Sequence, residues 1–326
     1  MEFSTAIQIP RSDILITHSS QIMVLGSCFS SHIGSRLLQH KFKLEENPFG
    51  ILYNPFSISR AIGRLLTGVP FTESELIRHN GLYHSLMHHG QFSDTEKQGC
   101  LGKINIRFEP AAAQIRRTSL FLVTFGTAFV YRWKENGEIA GNCHQIPADR
   151  FIRVRLSVDE IVKEWKEVIG RIINENPGAR FLFTVSPVRH LREGAHENQL
   201  SKSILHLVID ALQQGFPEVI RYFPAYELMM DELRDYRFYA DDMMHPSPLA
   251  IEYIWERFSE TFFSDETRSV NAEWAQIRKG LNHRPLHPDT PSFRSFKKLL
   301  SQKIEIFAAR HPEISCDEEI NLLQSK

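Results

Sequence analysis

The chain has 326 residues, of which 42% are hydrophobic and 24% are charged, and its formal net charge is -1. This composition is typical of a globular protein that is long enough for one large domain or two modest ones. It argues against nucleic-acid binding, because contact with a phosphate backbone normally needs a net basic face. We therefore expect a small-molecule substrate and no nucleic-acid partner.

The cysteines lie far apart in the sequence and include no C-x-x-C pair. This spacing disfavours a disulfide scaffold and a zinc ribbon. The segment Met1–Pro10 lacks the apolar core of a signal peptide. No window approaches the roughly 20 apolar residues that a membrane span needs. We expect a cytoplasmic protein with free thiols and no membrane span, and the oligomeric state is left open.

Three short apolar runs predict buried strands: Ile22–Leu25, Leu120–Phe125 and Arg180–Val185. Their apolarity is continuous, which is typical of parallel strands covered on both faces. Helical patterns follow or separate them at Ser30–Gln39, Val158–Asn174, Glu197–Gln214 and Pro248–Phe263. The alternation of strands and helices predicts an α/β protein with a mostly parallel sheet.

Two further stretches bear on the domain organisation. Asn47–Phe108 has a less regular pattern, and we interpret it as an insertion over the carboxyl edge of the sheet, where such folds place their sites. The last part of the chain predicts polar helices around a proline-rich joint, Arg284–Pro291. The predicted division is a main domain, residues 1–265, and a helical C-terminal extension, residues 266–326.

The first motif with chemical meaning is the run VLGSCFSSHIG, residues 24–34, where a predicted strand meets a predicted helix. A Cys28 nucleophile there would project from the sheet edge, and the free N–H groups of the helix start could hold an oxyanion. The helix dipole would also lower the pKa of the thiol. Alternatively, Cys28 only packs in a small-residue turn, and Ser27 or Ser30 caps the helix.

The second motif is the D-x-x-H run of Asp242 and His245, placed just before the last predicted helix. In such a turn the carboxylate can orient the imidazole, which then accepts the proton of a nucleophile. Alternatively, both residues only cap the following helix. The pair becomes more specific in combination with a nucleophile turn near the N-terminus.

The order of these two motifs resembles the SGNH/GDSL hydrolase superfamily, whose first block is a G-D-S-L-type turn and whose last block is D-x-x-H. More closely, Gly26–Ser30 resembles the namesake block of the GSCFA-domain family. Four later stretches resemble blocks of the same family: Asn47–Pro55, Thr124–Ala128, Asn142–His144 and Thr184–His190. The resemblance implies a three-layer α/β/α sandwich of SGNH, flavodoxin-like type. It also implies an acyl-ester hydrolase or acyltransferase for small or carbohydrate-linked esters, without a cofactor.

The resemblance implies roles for the first and last blocks. Gly26 takes the place of the first glycine, and Ser27 stands where the superfamily has aspartate. Cys28 stands where it has the nucleophilic serine, so a Cys28–His245–Asp242 site is implied. Ser27 remains an alternative nucleophile.

For the oxyanion hole, the resemblance implies Gly50 and Gly126 as the glycines of the second and third blocks. The asparagine expected two residues after Gly126 is Ala128 here. Asn142 and His144 are the available replacements. Thr127 of the third block and His190, which follows a predicted strand, complete the candidate substrate-binding set.

Two other functions stay open at this point. Ser27 and Ala128 both depart from the superfamily pattern, which allows a non-catalytic carbohydrate- or ligand-binding protein on a degenerate SGNH scaffold. A cluster of histidines raises a metal-dependent hydrolase as well. However, the His84/His88 spacing falls on no convincing helix, and we expect no metal.

Overall fold

A five-stranded parallel sheet forms the centre of the protein in a computed structural model that describes residues 5–287 and 289–324. In spatial order its strands are β2 (Leu44–Glu46), β1 (Ile22–Gly26), β5 (Leu120–Phe125), β9 (Arg180–Val185) and β10 (Ile220–Tyr222). All neighbouring pairs run parallel. The three predicted strands are confirmed as the central ones, and the sequence reading missed the two three-residue edge strands.

Helices connect these strands and continue to the C-terminal region. They are α1 (Cys28–Gln39), α2 (Pro55–Thr67), α3 (Lys97–Ile115), α4 (Val158–Glu175), α5 (Ala195–Gly215), α6 (Ala225–Glu227), α7 (Pro248–Phe262), α8 (Asp265–Leu281), α9 (Pro291–Arg310) and α10 (Asp317–Gln324). The four predicted helices are confirmed to within three residues at each end.

Alternate residues of the sheet point into two separate cores. On β1, Met23 and Leu25 belong to a core that includes side chains of α2, α3, α4 and α5. Ile22 and Val24 belong to a second core, together with side chains of α1 and α7. This alternation is the one expected for a strand buried on both faces. The predicted α/β sandwich with a mostly parallel sheet is confirmed.

The stretch Asn47–Phe108 is more regular than predicted. It contains α2 and the first part of α3, and both helices pack on the sheet instead of lying over its edge. The Asn54 side chain accepts a hydrogen bond from the Ser57 N–H at 2.8 Å and so caps α2, and Gly68 ends the helix with a φ of 67°. The interpretation of this stretch as an irregular insertion was therefore wrong for its helical parts.

Two small antiparallel sheets accompany the central one. A hairpin of β3 (Ile77–His79) and β4 (Leu82–His84) lies between α2 and α3 in the chain. A three-stranded sheet of β6 (Phe129–Trp133), β7 (Ile139–Ala140) and β8 (Phe151–Arg155) follows β5. The second of these contributes to the candidate site described below.

The C-terminal helices have a small core of their own, which includes Trp274, Leu300 and Phe307. The Trp274 indole donates a hydrogen bond to the Gln39 carbonyl at 3.0 Å, so this core also contacts the end of α1. A helical C-terminal region is confirmed, whereas the boundary at residue 265 stays a prediction. Pro288 of the predicted joint lies outside the described residues, as do residues 1–4 and 325–326. Of the helices described, none has the length and apolarity to cross a membrane.

Replacement of Trp165 by alanine should lower the free energy of unfolding by about 3–5 kcal/mol. The side chain is fully buried between α4 and the sheet, with Phe125 and Phe183 against its ring, and its indole N–H donates to the Pro55 carbonyl at 3.1 Å. Urea unfolding followed by circular dichroism measures the change. Exposed Lys163 on the same helix provides the control, and its alanine variant should differ from wild type by no more than about 0.5 kcal/mol. A Trp165→Ala loss below that of the control would contradict the packing role.

Candidate active site

The turn after β1 is built around a glycine that has no room for a side chain. Gly26 has a φ of +139°, and a β-carbon there would lie 2.3 Å from the Thr124 carbonyl oxygen. Its N–H donates to Asn47 Oδ1 at 2.9 Å, and its carbonyl accepts from the Leu52 N–H at 3.0 Å. The close contact with β5 and the left-handed φ both require glycine at this position.

Asn47 holds this turn against the start of α1. Besides accepting from Gly26, its side chain donates to the Ser30 hydroxyl at 3.2 Å and to the Ser31 hydroxyl at 3.0 Å. The residue is buried and has a φ of 40°, a conformation that asparagine tolerates better than most residues. In the sequence analysis Asn47 was the first residue of the Asn47–Pro55 block and had no predicted role. Its function here is to fix the position of the helix start.

Cys28 is the first residue of α1 and is half-buried. The Ser27 side chain does not cap the helix, so the N–H groups of Cys28 and Phe29 precede the first intrahelical hydrogen bond without a capping partner. Both N–H groups act to lower the pKa of the Cys28 thiol, but burial has the larger effect and the pKa is raised. The expectation of a lowered pKa was wrong in its net direction. The thiol therefore needs a base to become a nucleophile.

Ser27, the alternative nucleophile, is fully buried. Its hydroxyl has no hydrogen-bond partner among the described residues. A hydroxyl without solvent contact cannot meet a substrate unless the turn opens, and Gly26 and Asn47 hold the turn closed. The geometry gives Cys28 the access that Ser27 lacks.

The D-x-x-H turn brings a carboxylate and an imidazole together. Asp242 Oδ2 lies 2.5 Å from His245 Nδ1, and Asp242 Oδ1 accepts from the N–H groups of Met244 and His245, each at 2.9 Å. These three interactions lower the pKa of Asp242 to about 2, the two backbone N–H groups having the largest effect. In the neutral tautomer that donates its Nδ1 proton to this carboxylate, the imidazole of His245 has Nε2 as an acceptor.

A cavity of about 480 Å³ brings several predicted residues together. Its lining includes Cys28, Thr127, Asn142, His190 and His245. No hydrogen bond joins Cys28 to His245 among the residues described. Catalytic hydrogen bonds are often long or poorly aligned until a substrate binds, and two groups of one cavity can approach each other then.

Three other predicted residues are absent from the described lining of this cavity. In each of them the N–H group or ring nitrogen already forms a hydrogen bond within the protein. The Gly50 N–H donates to the Asn47 carbonyl at 2.7 Å, and the Gly126 N–H donates to the Tyr53 carbonyl at 2.8 Å. His144 Nε2 is hydrogen-bonded to the Ser85 carbonyl at 2.8 Å. Neither glycine therefore has a free N–H for an oxyanion, and the Nε2 atom of His144 is already hydrogen-bonded.

The position of the missing asparagine offers no donor to the cavity. Ala128 is fully buried, and its N–H donates to the Ser201 hydroxyl at 2.8 Å. The Thr127 hydroxyl lies 3.1 Å from that same Ser201 hydroxyl and accepts from the Phe129 N–H at 3.1 Å. Thr127 therefore shapes the cavity wall and is held in place by its own hydrogen bonds.

Two lining residues do have donors to offer. Asn142 Oδ1 accepts from the His144 N–H at 2.8 Å, which fixes the amide and leaves its NH₂ group without a described partner. The Tyr53 hydroxyl likewise has no described hydrogen-bond partner, and burial raises the pKa of this tyrosine, so the phenol stays protonated. Tyr53 lies in the Asn47–Pro55 block, and the sequence analysis gave it no role of its own. A carbonyl oxygen in the cavity could therefore meet donors from Cys28, Asn142 and Tyr53.

Lys202 of α5 was missed entirely. Its side chain is fully buried, and Nζ donates to the carbonyls of Gly126 and Ser186, each at 2.7 Å. Gly126 directly follows β5 and Ser186 directly follows β9. One ammonium group therefore joins the ends of these two strands beside the cavity. Burial lowers the pKa of Lys202 to about 7. Lys202 precedes Leu205 by three residues and Ile209 by seven, so all three lie on the same face of α5. This helical spacing could have indicated that Lys202 is buried.

The histidines of the β4 region serve as packing residues. His88 is buried, its ring stacks on Phe49 with centroids 4.7 Å apart, and burial lowers its pKa to about 3. His84 stacks on His144 with centroids 4.4 Å apart. Within residues 5–287 and 289–324 no three His, Cys, Asp or Glu side chains form a group that could hold a metal ion.

Comparison with models of known protein families shows to which family the chain belongs. A model described as the GSCFA family matches residues 21–258. The chain belongs to the GSCFA family. A second model, described as the C-terminal domain of GSCFA domain proteins, matches residues 274–326 of this GSCFA protein.

Comparisons outside the family models add less. No curated protein matches the chain. Among solved structures, it is similar to "An Acetyl Xylan Esterase (Est2A) from the Rumen Bacterium Butyrivibrio proteoclasticus", with 12% sequence identity and a TM-score of 0.35. The match covers 76% of this GSCFA protein and 66% of that esterase, so it spans just under two thirds of the esterase's length.

Proposed function

We propose that this GSCFA protein is an acyl-ester hydrolase or acyltransferase of SGNH type, with Cys28 as nucleophile, His245 as base and Asp242 as the residue that orients His245. The observation that carries the proposal is the shared cavity of Cys28 and His245, with Asp242 Oδ2 at 2.5 Å from His245 Nδ1. A nucleophile, a base and an orienting group are the components of acyl-transfer catalysis. The substrate class we propose is a small or carbohydrate-linked ester. A cytoplasmic location stays a prediction from the sequence.

The position of the cavity in the fold supports this function. The chain runs from β1 outward to β2 and then returns to β5 on the other side of β1, so the strand order reverses between β1 and β5. Ligands of open α/β sheets bind beyond the carboxyl ends of the strands at such a reversal. Cys28 lies two residues after the end of β1 and Thr127 lies two residues after the end of β5, which puts both at this point.

In the proposed reaction Cys28 Sγ attacks the carbonyl carbon of the ester, and the thiol proton passes to His245 Nε2. The tetrahedral oxyanion is stabilised by the N–H of Cys28, the amide of Asn142 and the Tyr53 hydroxyl. The C–O bond then breaks, and the leaving alkoxide takes the proton from His245. Water or an acceptor hydroxyl attacks the resulting thioester, gives its proton to His245, and the thiolate leaves and is reprotonated.

Replacement of His245 by alanine should lower kcat/KM for 4-nitrophenyl acetate by about 10²–10⁴-fold, because the raised pKa of Cys28 leaves the thiol protonated without a base. Cys28→Ala should reduce turnover by at least as much. Release of 4-nitrophenolate is followed at pH 8. Mass spectrometry of the intact protein detects an acetyl thioester in wild type and its absence in Cys28→Ala.

Exposed His287 provides a matched control, and His287→Ala should keep wild-type turnover. Circular dichroism checks that each variant is folded. Full activity of folded His245→Ala, or acetylation that persists in Cys28→Ala, would contradict the assignment.

A second candidate is a non-catalytic carbohydrate- or ligand-binding protein on the same scaffold. The raised pKa of Cys28 and the buried Ala128 at the oxyanion position favour it. The two functions differ in whether the rate of Cys28 alkylation by iodoacetamide depends on His245. If His245 assists deprotonation, the alkylation rate near pH 7 should fall in His245→Ala, whereas a binding protein should show equal rates.

A further inference from the structure

The cavity beside Cys28 is lined by positive groups. Arg189 and Arg192 contribute to its lining, and among the lining side chains that the structure describes there is no aspartate or glutamate. The nearby carboxylate of Asp242 is occupied by His245 and by two backbone N–H groups. A concave surface that concentrates guanidinium groups attracts a negatively charged ligand.

Arg189 is the more informative of the two. Its Nε is buried and has no hydrogen-bond partner among the described residues. The guanidinium carbon lies 5.3 Å from the centroid of the Tyr239 ring, a cation–π contact that orients the group. A buried guanidinium N–H without an acceptor is costly, and native proteins rarely leave such a group unpaired without a reason. The two Nη groups of Arg189 have no described hydrogen-bond partner either and are not among the buried unpaired atoms, so an anionic ligand in the cavity could pair with them without reaching the buried Nε.

A second cavity lies beside Arg189. This neighbouring cavity of about 300 Å³ shares Arg189 and is also lined by Arg234, Asp235, Tyr236 and Tyr239. The Asp235 carboxylate lies 3.7 Å from the Arg237 guanidinium and accepts from the Arg237 N–H at 2.9 Å. The Arg189 side chain therefore lies where a ligand could reach from Cys28 towards a second space that has another arginine. A guanidinium group recognises carboxylate and phosphate oxygens through two parallel hydrogen bonds, which a lysine cannot reproduce.

From this geometry we infer that the ester recognised by the site carries an anionic group, a carboxylate or a phosphate, and that Arg189 binds it with Arg192 beside it. The inference rests on the acyl-transfer function proposed above and names the chemical class of its substrate. The anion would lie at the Arg189 end of the cavity, and the ester carbonyl would lie at Cys28. Arg189 thus acts as a specificity-determining residue.

Direct binding tests the anion site without any turnover. Succinate and inorganic phosphate are used as probes, with succinamide as the neutral counterpart of succinate, and the readout is protection of Cys28 from iodoacetamide in peptide maps. We expect protection by succinate or phosphate in wild type and about tenfold weaker protection in Arg189→Gln. Arg189→Lys should restore it only in part. The two anions distinguish the carboxylate from the phosphate. Arg155 of β8 forms an ion pair with Glu197 at 2.8 Å, and Arg155→Gln is the matched control that should protect like wild type.

Turnover tests the substrate class. The 4-nitrophenyl monoester of glutarate and its methyl-capped form differ only in the free carboxylate, and wild type should prefer the charged ester by about tenfold or more in kcat/KM. Arg189→Gln should remove that preference, whereas Arg155→Gln should retain it. If no ester is turned over while an anion still protects Cys28 through Arg189, the acyl-transfer function fails and the anion site stands. Equal protection by succinate and succinamide in wild type, or an unchanged preference in Arg189→Gln, would overturn the inference.

Discussion

Replacement of Gly26 by alanine should prevent the chain from reaching its native fold. A β-carbon at this position would lie 2.3 Å from the Thr124 carbonyl oxygen, and both atoms belong to paired backbone of adjacent central strands. The φ of +139° adds backbone strain for any residue with a side chain. Because the neighbour is backbone and cannot rotate away, we expect a loss of more than about 4 kcal/mol, a large part of the stability of a typical domain.

Two other glycines separate the causes of that loss. Gly68 has a φ of +67° but open space around it, so Gly68→Ala should cost only about 1–2 kcal/mol from the backbone conformation. Gly102 lies within α3 in open space, and Gly102→Ala should be neutral or stabilising. Soluble yield and urea midpoints of the three variants give the comparison. A Gly26→Ala protein as stable as Gly68→Ala would show that the two strands can separate at this point.

The buried lysine should give the protein a pH-dependent stability that Lys202→Met removes. Burial lowers the pKa of Lys202 to about 7 in the folded chain, whereas an unfolded lysine titrates near 10.4. Between these values the unfolded chain binds more protons, so the free energy of unfolding rises with pH by about 1.4 kcal/mol per pH unit. Below pH 7 both states are protonated and the burial penalty is present in full.

The test subtracts the free energy of unfolding of Lys202→Met from that of wild type at pH values from 6 to 10. The subtraction removes the contribution of cysteines and tyrosines, which titrate in the same range. The difference should rise by about 4 kcal/mol between pH 7 and pH 10 and be level below pH 7. Exposed Lys166 gives the control, since Lys166→Met leaves Lys202 in place. A difference that is level throughout would mean that the Gly126 and Ser186 carbonyls keep the ammonium charged.

The sequence predicted the centre of the fold better than its edges. Continuous apolar runs mark β1, β5 and β9 because both faces of these strands are buried. The edge strands β2 and β10 have only three residues each, too few for any periodic pattern. The helix α3 was hidden by Gly99, Gly102 and Pro110, which interrupt a helical pattern although the packing of Ile104 and Phe108 holds the helix together.

The candidate site also contains some residues that the sequence predicted and others that it did not. Motif spacing marked Cys28, Asp242 and His245 because the roles proposed for them are tied to local turns. The sequence named the helix-start N–H and Asn142 among several candidate oxyanion donors, but it could not separate them from Gly50, Gly126 and His144. Long-range contacts decide which of these groups already have a hydrogen-bond partner. Gly50 donates to Asn47, whereas the amide of Asn142 has no described partner. Lys202 was missed because a charged residue on an apolar helix face is normally read as a solvent-exposed one.

The small antiparallel sheet β6–β8 has a consequence for the diversity of the family. Phe129 and Tyr131 of β6 and Arg153 of β8 line the cavity, whereas Cys28 and His245 come from the start of α1 and the turn before α7. Part of the cavity wall and the proposed nucleophile and base thus come from separate stretches of chain. The wall residues on β6 and β8 can change in evolution, or be exchanged for those of another GSCFA protein, without a change in the turn Gly26–Ser30. We therefore expect GSCFA proteins that keep Cys28 and His245 but differ in this wall to differ in the molecules they accept.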